Sequence, residues 1–190
     1  MALTFDDGPG PYTTQILALL RANGVKATFC LIGVNVQANP GLVQAIAHDG
    51  HTLCNHTWRH DLALGSRSPD AIRADLKRTN DAIHAAVPGV PIKYFRSPGG
   101  YFTPGTVAIA KELGMASIGW TADASDWNVK AYPPGPVMTG HVVSYVEGAA
   151  KPGVILLTHD GGGDRSSTVA AYRTLLPWLL ARFELTALPV

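Results

Sequence analysis

Five short clusters of ionisable residues are spread along this chain, each just after a stretch patterned as a β-strand. Thr4-Phe5-Asp6-Asp7-Gly8-Pro9 sets two adjacent carboxylates before turn residues. Consecutive side chains at a strand end point in different directions, so one dipeptide can serve two roles. The same residues also suit a plain Asp-Gly-Pro turn that caps the next helix. His56-Thr57-Trp58-Arg59-His60 spaces two imidazoles four apart. A helical turn would bring them onto one face, within reach of a shared metal. With a carboxylate from the first strand the set becomes two His and one Asp, which leaves positions open for water and substrate as catalytic sites do. In Tyr94-Phe95-Arg96-Ser97-Pro98-Gly99-Gly100-Tyr101, an arginine at a buried strand end needs a carboxylate partner, and Asp6 is available. Asp123-Ala124-Ser125-Asp126-Trp127 reads either as a polar turn beside a core aromatic or as half of an acid–base pair. The other half is His159, in Leu157-Thr158-His159-Asp160; beside Asp126 its tautomer would be set and its basicity raised.

The remaining polar features carry less. Gly161-Gly162-Gly163 lacks the Lys-Ser/Thr of a phosphate loop and the GxGxxG spacing, and reads as a flexible loop before the last helix. His48, His51, His84 and His141 have no partner at ligand spacing and are expected on the surface or in packing. Cys30 and Cys54 allow one disulfide or two buried thiols, and buried thiols are the expectation. Without CxxC spacing, a cysteine zinc site is not expected.

The clusters need elements to position them, and the chain alternates strand and helix patterns throughout. Strands are expected at Ala2–Phe5, Lys26–Ile32, Thr52–Asn55, Ile92–Phe95, Ala116–Trp120, Val154–Thr158 and Leu185–Leu188. Helices are expected over Thr14–Asn23, from an Asn39 cap to Gly50, from a Ser68-Pro69 cap to about Val87, from Thr103-Pro104 to Gly114, over Val137–Glu147 and over about Thr168–Arg182. Seven strands and six helices in alternation imply a parallel sheet with right-handed crossovers. A nearly closed barrel and an open doubly wound sheet both fit that alternation. Five strand ends delivering ionisable residues would converge on one face of a parallel barrel, where active sites are built.

Composition bounds the answer. The 190 residues are 46% hydrophobic and 15% charged, and they suit one domain spanning 1–190 that can bury its own core. A net charge of +1 argues against a nucleic-acid partner. No apolar run reaches the ~20 residues of a membrane span. Acidic residues are eleven Asp against three Glu, beside seven His, a bias toward residue types that recur in metal and proton-transfer chemistry.

Taken in order, the five clusters resemble the motifs of the polysaccharide deacetylases of carbohydrate esterase family four, the NodB-homology domain. The resemblance runs from residue 4 to residue 159. It implies an α/β fold, an irregular (β/α) barrel with about seven parallel strands, and metal-dependent removal of acetyl groups from carbohydrate. It makes Asp7, His56 and His60 ligands of a divalent metal, zinc first, with cobalt or another divalent ion as alternatives. It makes Asp6 the general base held by Arg96, and His159 the general acid tuned by Asp126. Gly99, Trp127 and Leu157 would touch substrate, Gly99 through its backbone N–H. Many members have an aromatic residue where this chain has Gly99, so the groove wall there is expected to lack a ring.

The implied substrate is an N-acetylglucosamine polymer or oligomer, chitin-like or peptidoglycan, and the implied protein is a monomer acting outside the cell or at its surface. Met1-Ala2-Leu3 leads straight into a strand pattern with no signal-peptide features. O-deacetylation of acetylated xylan on the same scaffold is the alternative. A catalytically silent carbohydrate-binding barrel is a remoter one.

Overall fold

A computed structural model describes residues 1–190. Its strands are β1 (Ala2–Asp6), β2 (Thr28–Leu31), β3 (Thr52–Asn55), β4 (Ile92–Phe95), β5 (Ala116–Ser117), β6 (Ala122–Asp123) and β7 (Ile155–His159). They form one sheet in the order β5-β4-β3-β2-β1-β7-β6, with every pairing parallel. The helices are α1 (Thr13–Ala22), α2 (Gly33–Ala38), α3 (Pro40–His48), α4 (Pro69–Ala86), α5 (Pro104–Glu112), α6 (Pro136–Ala149) and α7 (Ser166–Leu180). None is long and apolar enough to cross a membrane.

The edge strands β5 and β6 are consecutive in sequence, joined only by residues 118–121. The N–H of Ile118 still donates to Phe95 of β4, while that of Thr121 donates to Ile155 of β7. So short a connection can link opposite edges only if the sheet curls round on itself. The fold is therefore an irregular (β/α) barrel, open along one seam that backbone bridges without a ladder. Parallel strands put all their C-terminal ends on one rim, and Asp6, Asn55, Phe95, Asp123 and His159 end β1, β3, β4, β6 and β7 there. Asp6 and His159 are register partners across β1 and β7.

Several sequence expectations need correction. The strand expected over Ala116–Trp120 stops at Ser117, because the chain must turn to reach β7, and β6 was not anticipated. The strand expected at Leu185–Leu188 is a single bridge between Ala2 and Thr186. Its backbone is instead tied to Thr28 and Thr52 side chains. Helix α2 was missed, and the Asn39 side chain caps nothing, donating back to Asn35 at its end. The Ser68 and Thr103 caps stand as expected, accepting from Ala71 and Thr106.

The core is one cluster filled by Leu3, Phe5, Phe29, Leu53, Phe95, Leu156 and the inward faces of the helices. Within it Phe5 stacks on Phe29 at 5.1 Å, and the buried Tyr172 hydroxyl shares a hydrogen bond with Thr158 at 2.9 Å. The cysteines are not separate thiols. Cys30 and Cys54 face each other in register on β2 and β3, Cα atoms 4.2 Å apart, and form a disulfide.

A link closing a loop of 24 residues removes enough unfolded-state freedom to contribute about 3 kcal/mol. Replacing both cysteines by alanine should therefore lower the melting temperature by roughly 6–12 °C in a thermal scan. A midpoint unchanged in that scan would show that the link does not stabilise the barrel.

Candidate active site

A cavity of about 480 Å³ opens on the rim and is lined by Asp6, Asp7, His56, His60, Gly99, Trp127, Leu157 and His159. Arg96 and Asp126 stand immediately behind it, fully or almost fully buried. The structure thus brings all ten residues singled out in the sequence to one place.

Arg96 leaves the end of β4 and points into the barrel axis. One terminal nitrogen, Nη1, donates to Asp6 Oδ1 at 2.8 Å and to Thr4 Oγ1 at 2.8 Å. The other, Nη2, donates to the Gly119 carbonyl at 3.0 Å, on the connection that bridges the barrel seam. A guanidinium with no exposed surface needs that carboxylate, since a lone buried charge would cost several kcal/mol. The Arg96 carbonyl also accepts from His56 Nδ1 at 2.8 Å. With Nδ1 as donor, the lone pair of His56 lies on Nε2 and faces the acids.

Asp7, His56 and His60 meet as a triad whose ligand-type atoms all lie within 4.8 Å of one another. His56 Nε2 and His60 Nε2 are each 3.4 Å from Asp7 Oδ1, a spacing suited to ligands ~2.0–2.1 Å from one shared cation. That Asp7 oxygen is buried and receives no hydrogen bond from the protein. Burial alone would raise the Asp7 carboxyl, but His56, His159 and His60 hold it well below the usual carboxylate range. Burial pulls His60 down, whereas the charges of Asp6 and Asp7 overcome burial and pull His56 up. The donor set, two imidazoles and a carboxylate with an unsatisfied oxygen, fits a divalent cation.

The local backbone is not the expected helical turn. Residues 56–60 form a loop in which Thr57 (φ 68°) and His60 (φ 57°) are left-handed. Asn55 Oδ1 accepts from the Thr57 N–H at 2.9 Å and Asp75 Oδ1 from the Trp58 N–H at 2.8 Å, which hold the loop in place. The two rings still meet edge to face at 5.0 Å.

On the opposite wall His159 leaves β7. Its Nδ1 donates to Asp126 Oδ1 at 2.7 Å, and its N–H donates to Asp126 Oδ2 at 2.9 Å. Thr168 Oγ1, in α7, donates to the same carboxylate at 2.7 Å. Burial opposes a charged imidazole, but the Asp126 carboxylate outweighs it, helped by Asp6 and Asp7, and His159 is raised to about 9. The pair is built for a protonated histidine.

Other residues at the site gave no signal in the sequence. Arg165 is buried, and donates to the carbonyls of Gly161 (2.7 Å) and Asp126 (3.0 Å). It fixes the glycine run that was expected to be flexible. Gly161 is buried, and a Cβ there would overlap the Asp7 carbonyl; on Gly162 it would overlap the Asp7 carboxylate. Asp160 accepts from Thr13 Oγ1 at 2.5 Å and is pushed up to about 7 by burial. Leu62, Tyr101 and Trp120 complete the cavity wall, so, contrary to expectation, the wall at Gly99 does not lack a ring: the Tyr101 ring packs where a Gly99 side chain would begin. Only fold-level contacts, not residue type or spacing, select these positions.

Arg96→Leu would leave Asp6 buried without its cation. The expected loss is about 3–5 kcal/mol, read as a lower urea midpoint at unchanged slope. An undiminished midpoint would mean that the pair is not what stabilises this end of the barrel.

Comparison with known proteins adds a second line. A family model described as polysaccharide deacetylase matches residues 1–118. A peptidoglycan-N-acetylglucosamine deacetylase of Bacillus cereus is 41% identical over 182 residues, 94% of this chain and 81% of that protein. A chitooligosaccharide deacetylase of Rhizobium leguminosarum bv. trifolii is 36% identical over 200 residues, 98% of this chain and 89% of that protein. Among solved structures, a family 4 carbohydrate esterase from Streptomyces lividans in complex with acetate superposes with a TM-score of 0.85 at 29% identity, covering 98% of this chain and 90% of that one.

Proposed function

Because the chain belongs to the polysaccharide deacetylase family, we propose that it hydrolyses N-acetyl groups of N-acetylglucosamine polymers or oligomers, chitin-like or peptidoglycan, with a divalent cation as cofactor. The observation that carries this is the meeting, in one cavity, of an Asp-His-His triad, an arginine-held carboxylate and an Asp–His pair. Asp7, His56 and His60 would hold the cation, zinc first. When bound, such an ion supplies Lewis acidity that makes water nucleophilic near neutral pH and polarises the acetyl carbonyl.

The chain's own groups account for the proton transfers. Asp6, fixed by Arg96, takes a proton from the attacking water. The water oxygen bonds to the acetyl carbon, and the Gly99 N–H donates to the oxyanion that develops. His159, protonated and oriented by Asp126, gives its proton to the amine nitrogen as the C–N bond breaks. Acetate and a free amine leave. Leu157, buried on the cavity wall, and Trp127 would enclose the acetyl methyl group. The Cys30–Cys54 disulfide supports a location outside the reducing cytoplasm.

The test is acetate release from chitooligosaccharides, peptidoglycan and acetylated xylan side by side, before and after chelation and zinc add-back. Activity on the amide substrates, lost on chelation and restored by zinc, is expected; activity confined to acetylated xylan would overturn the amide assignment. Asp6→Asn should retain zinc in equilibrium dialysis yet lose about 10²–10⁴-fold in turnover, because base and ligand are different residues. Full activity of that variant would remove the base.

The pH profile tests the acid. With His159 held at about 9, its protonated form persists through neutral pH and activity falls on the alkaline side. Asp126→Asn removes the anion that raises His159, so the alkaline limb should move down by about one unit or more. An unmoved limb would show that His159 is not the proton donor.

A further inference from the structure

We propose that the ring of Tyr101, with Leu62 beside it, is a subsite for the sugar unit next to the one being deacetylated, and that it gives the enzyme a chain-length preference. This rests on the carbohydrate reading above and names a residue that reading does not use. Gly99 and Gly100 both take left-handed backbone, at φ 60° and 71°. A Cβ on Gly99 would stand 3.0 Å from Tyr101 Cε2 and 3.1 Å from Leu62 Cδ2. The ring and the leucine methyl therefore lie directly on a bare Cα. A Cβ on Gly100 would stand 2.9 Å from Trp120 Cη2, so a second ring packs against the same glycine pair. The glycines are what let three large side chains converge there.

The result is an apolar ledge at the cavity mouth. Tyr101 is 61% exposed and Leu62 53% exposed, yet both line the same cavity as Asp6, Asp7 and His159. Large apolar surface left open beside a polar reaction site marks a binding surface. A pyranose suits it, having an apolar C–H face to lie on the ring and hydroxyls at its edge for water. Continuity with the reaction cavity identifies the occupant as the next unit of the same sugar chain, because a polymer held at the site must leave across its rim. The Tyr101 side chain makes no hydrogen bond; its N–H donates to Pro98 and its carbonyl accepts from Ser97 Oγ. The ring can therefore be removed without breaking the loop.

The experiment compares wild type, Tyr101→Ala and Tyr101→Phe on N-acetylglucosamine oligomers of two to five units, by titration calorimetry and by acetate release. Wild-type affinity and kcat/KM should rise with length. In Tyr101→Ala the tetramer-to-dimer ratio of kcat/KM should fall about three- to tenfold, carried by KM, while Tyr101→Phe keeps it. Length-dependent, Tyr101-dependent binding without acetate release would sink the deacetylase reading and leave the ledge standing. Acetate release whose length dependence is the same in all three proteins would overturn the ledge and leave the deacetylase reading intact.

Discussion

The site hangs on one fully buried cation. Arg96 has no water to solvate it, so its position is set by what it can reach: the Asp6 carboxylate, the Thr4 hydroxyl and the Gly119 carbonyl. Those three belong to β1 and to the connection that bridges the barrel seam, while Arg96 itself follows β4. One guanidinium thus ties strands that are not neighbours, across an axis where no ladder can form. Its carbonyl then sets the tautomer of His56. The positions of Asp6 and His56 and the closure of the barrel all pass through this one residue. Replacing it by a lysine point charge would not reproduce that fork.

A second cost is stored in the backbone. The four non-glycine residues with positive φ are Asp7, Thr57, His60 and Ser125, and all four lie in the loops that follow strand ends at the site. Such conformations are unfavourable for side-chain-bearing residues and persist only where surrounding structure over-determines them. Here the structure does so with side-chain hydrogen bonds and close packing. Asn55 holds the Thr57 N–H, and Asp123 holds that of Ser125 at 2.7 Å. Asn35 donates to the Asp7 carbonyl at 2.9 Å, and the Gly161–Gly162 backbone packs against the same residue. The parallel barrel below contributes the stability, and the rim spends it on geometry.

What the sequence made legible follows the same division. Strands β3 and β4 fall where hydrophobic pattern places them, and the Ser68 and Thr103 caps start α4 and α5 as their chemistry requires. The clusters of polar residues after strands located the cavity, because a parallel sheet leaves them no other rim. Long-range geometry was not legible. Residues 116–120 read as one strand because nothing local says that the chain must cross a seam. Leu185–Leu188 reads as a strand, yet only the single Ala2–Thr186 bridge pairs it to the sheet, which its own pattern does not reveal. The cysteine pairing depends on the register of β2 against β3, which spacing alone does not fix. Arg165 gives no signal in the sequence, since its three acceptors are backbone carbonyls.

The adjacency of Asp6 and Asp7 shows why a strand end suits this chemistry. Two neighbouring carboxylates in the same cavity would repel each other if they shared partners. Asp6, still within β1, points to Arg96 at 2.8 Å. Asp7, the first residue past the strand, has φ 71°, so its carboxylate turns to His56 and His60 at 3.4 Å each. One left-handed residue therefore gives two like charges different principal partners within a single peptide step, with His56 Nε2, 3.7 Å from Asp6 Oδ2, lying between them. His159, beside Asp6 in register, is fixed by a third buried carboxylate, Asp126, which also accepts from Thr168. The site thus holds three buried carboxylates, each with its own principal partner. A charge-poor chain achieves this by placing acidic residues where each meets a guanidinium or an imidazole, with left-handed backbone at Asp7 turning its carboxylate away from that of Asp6.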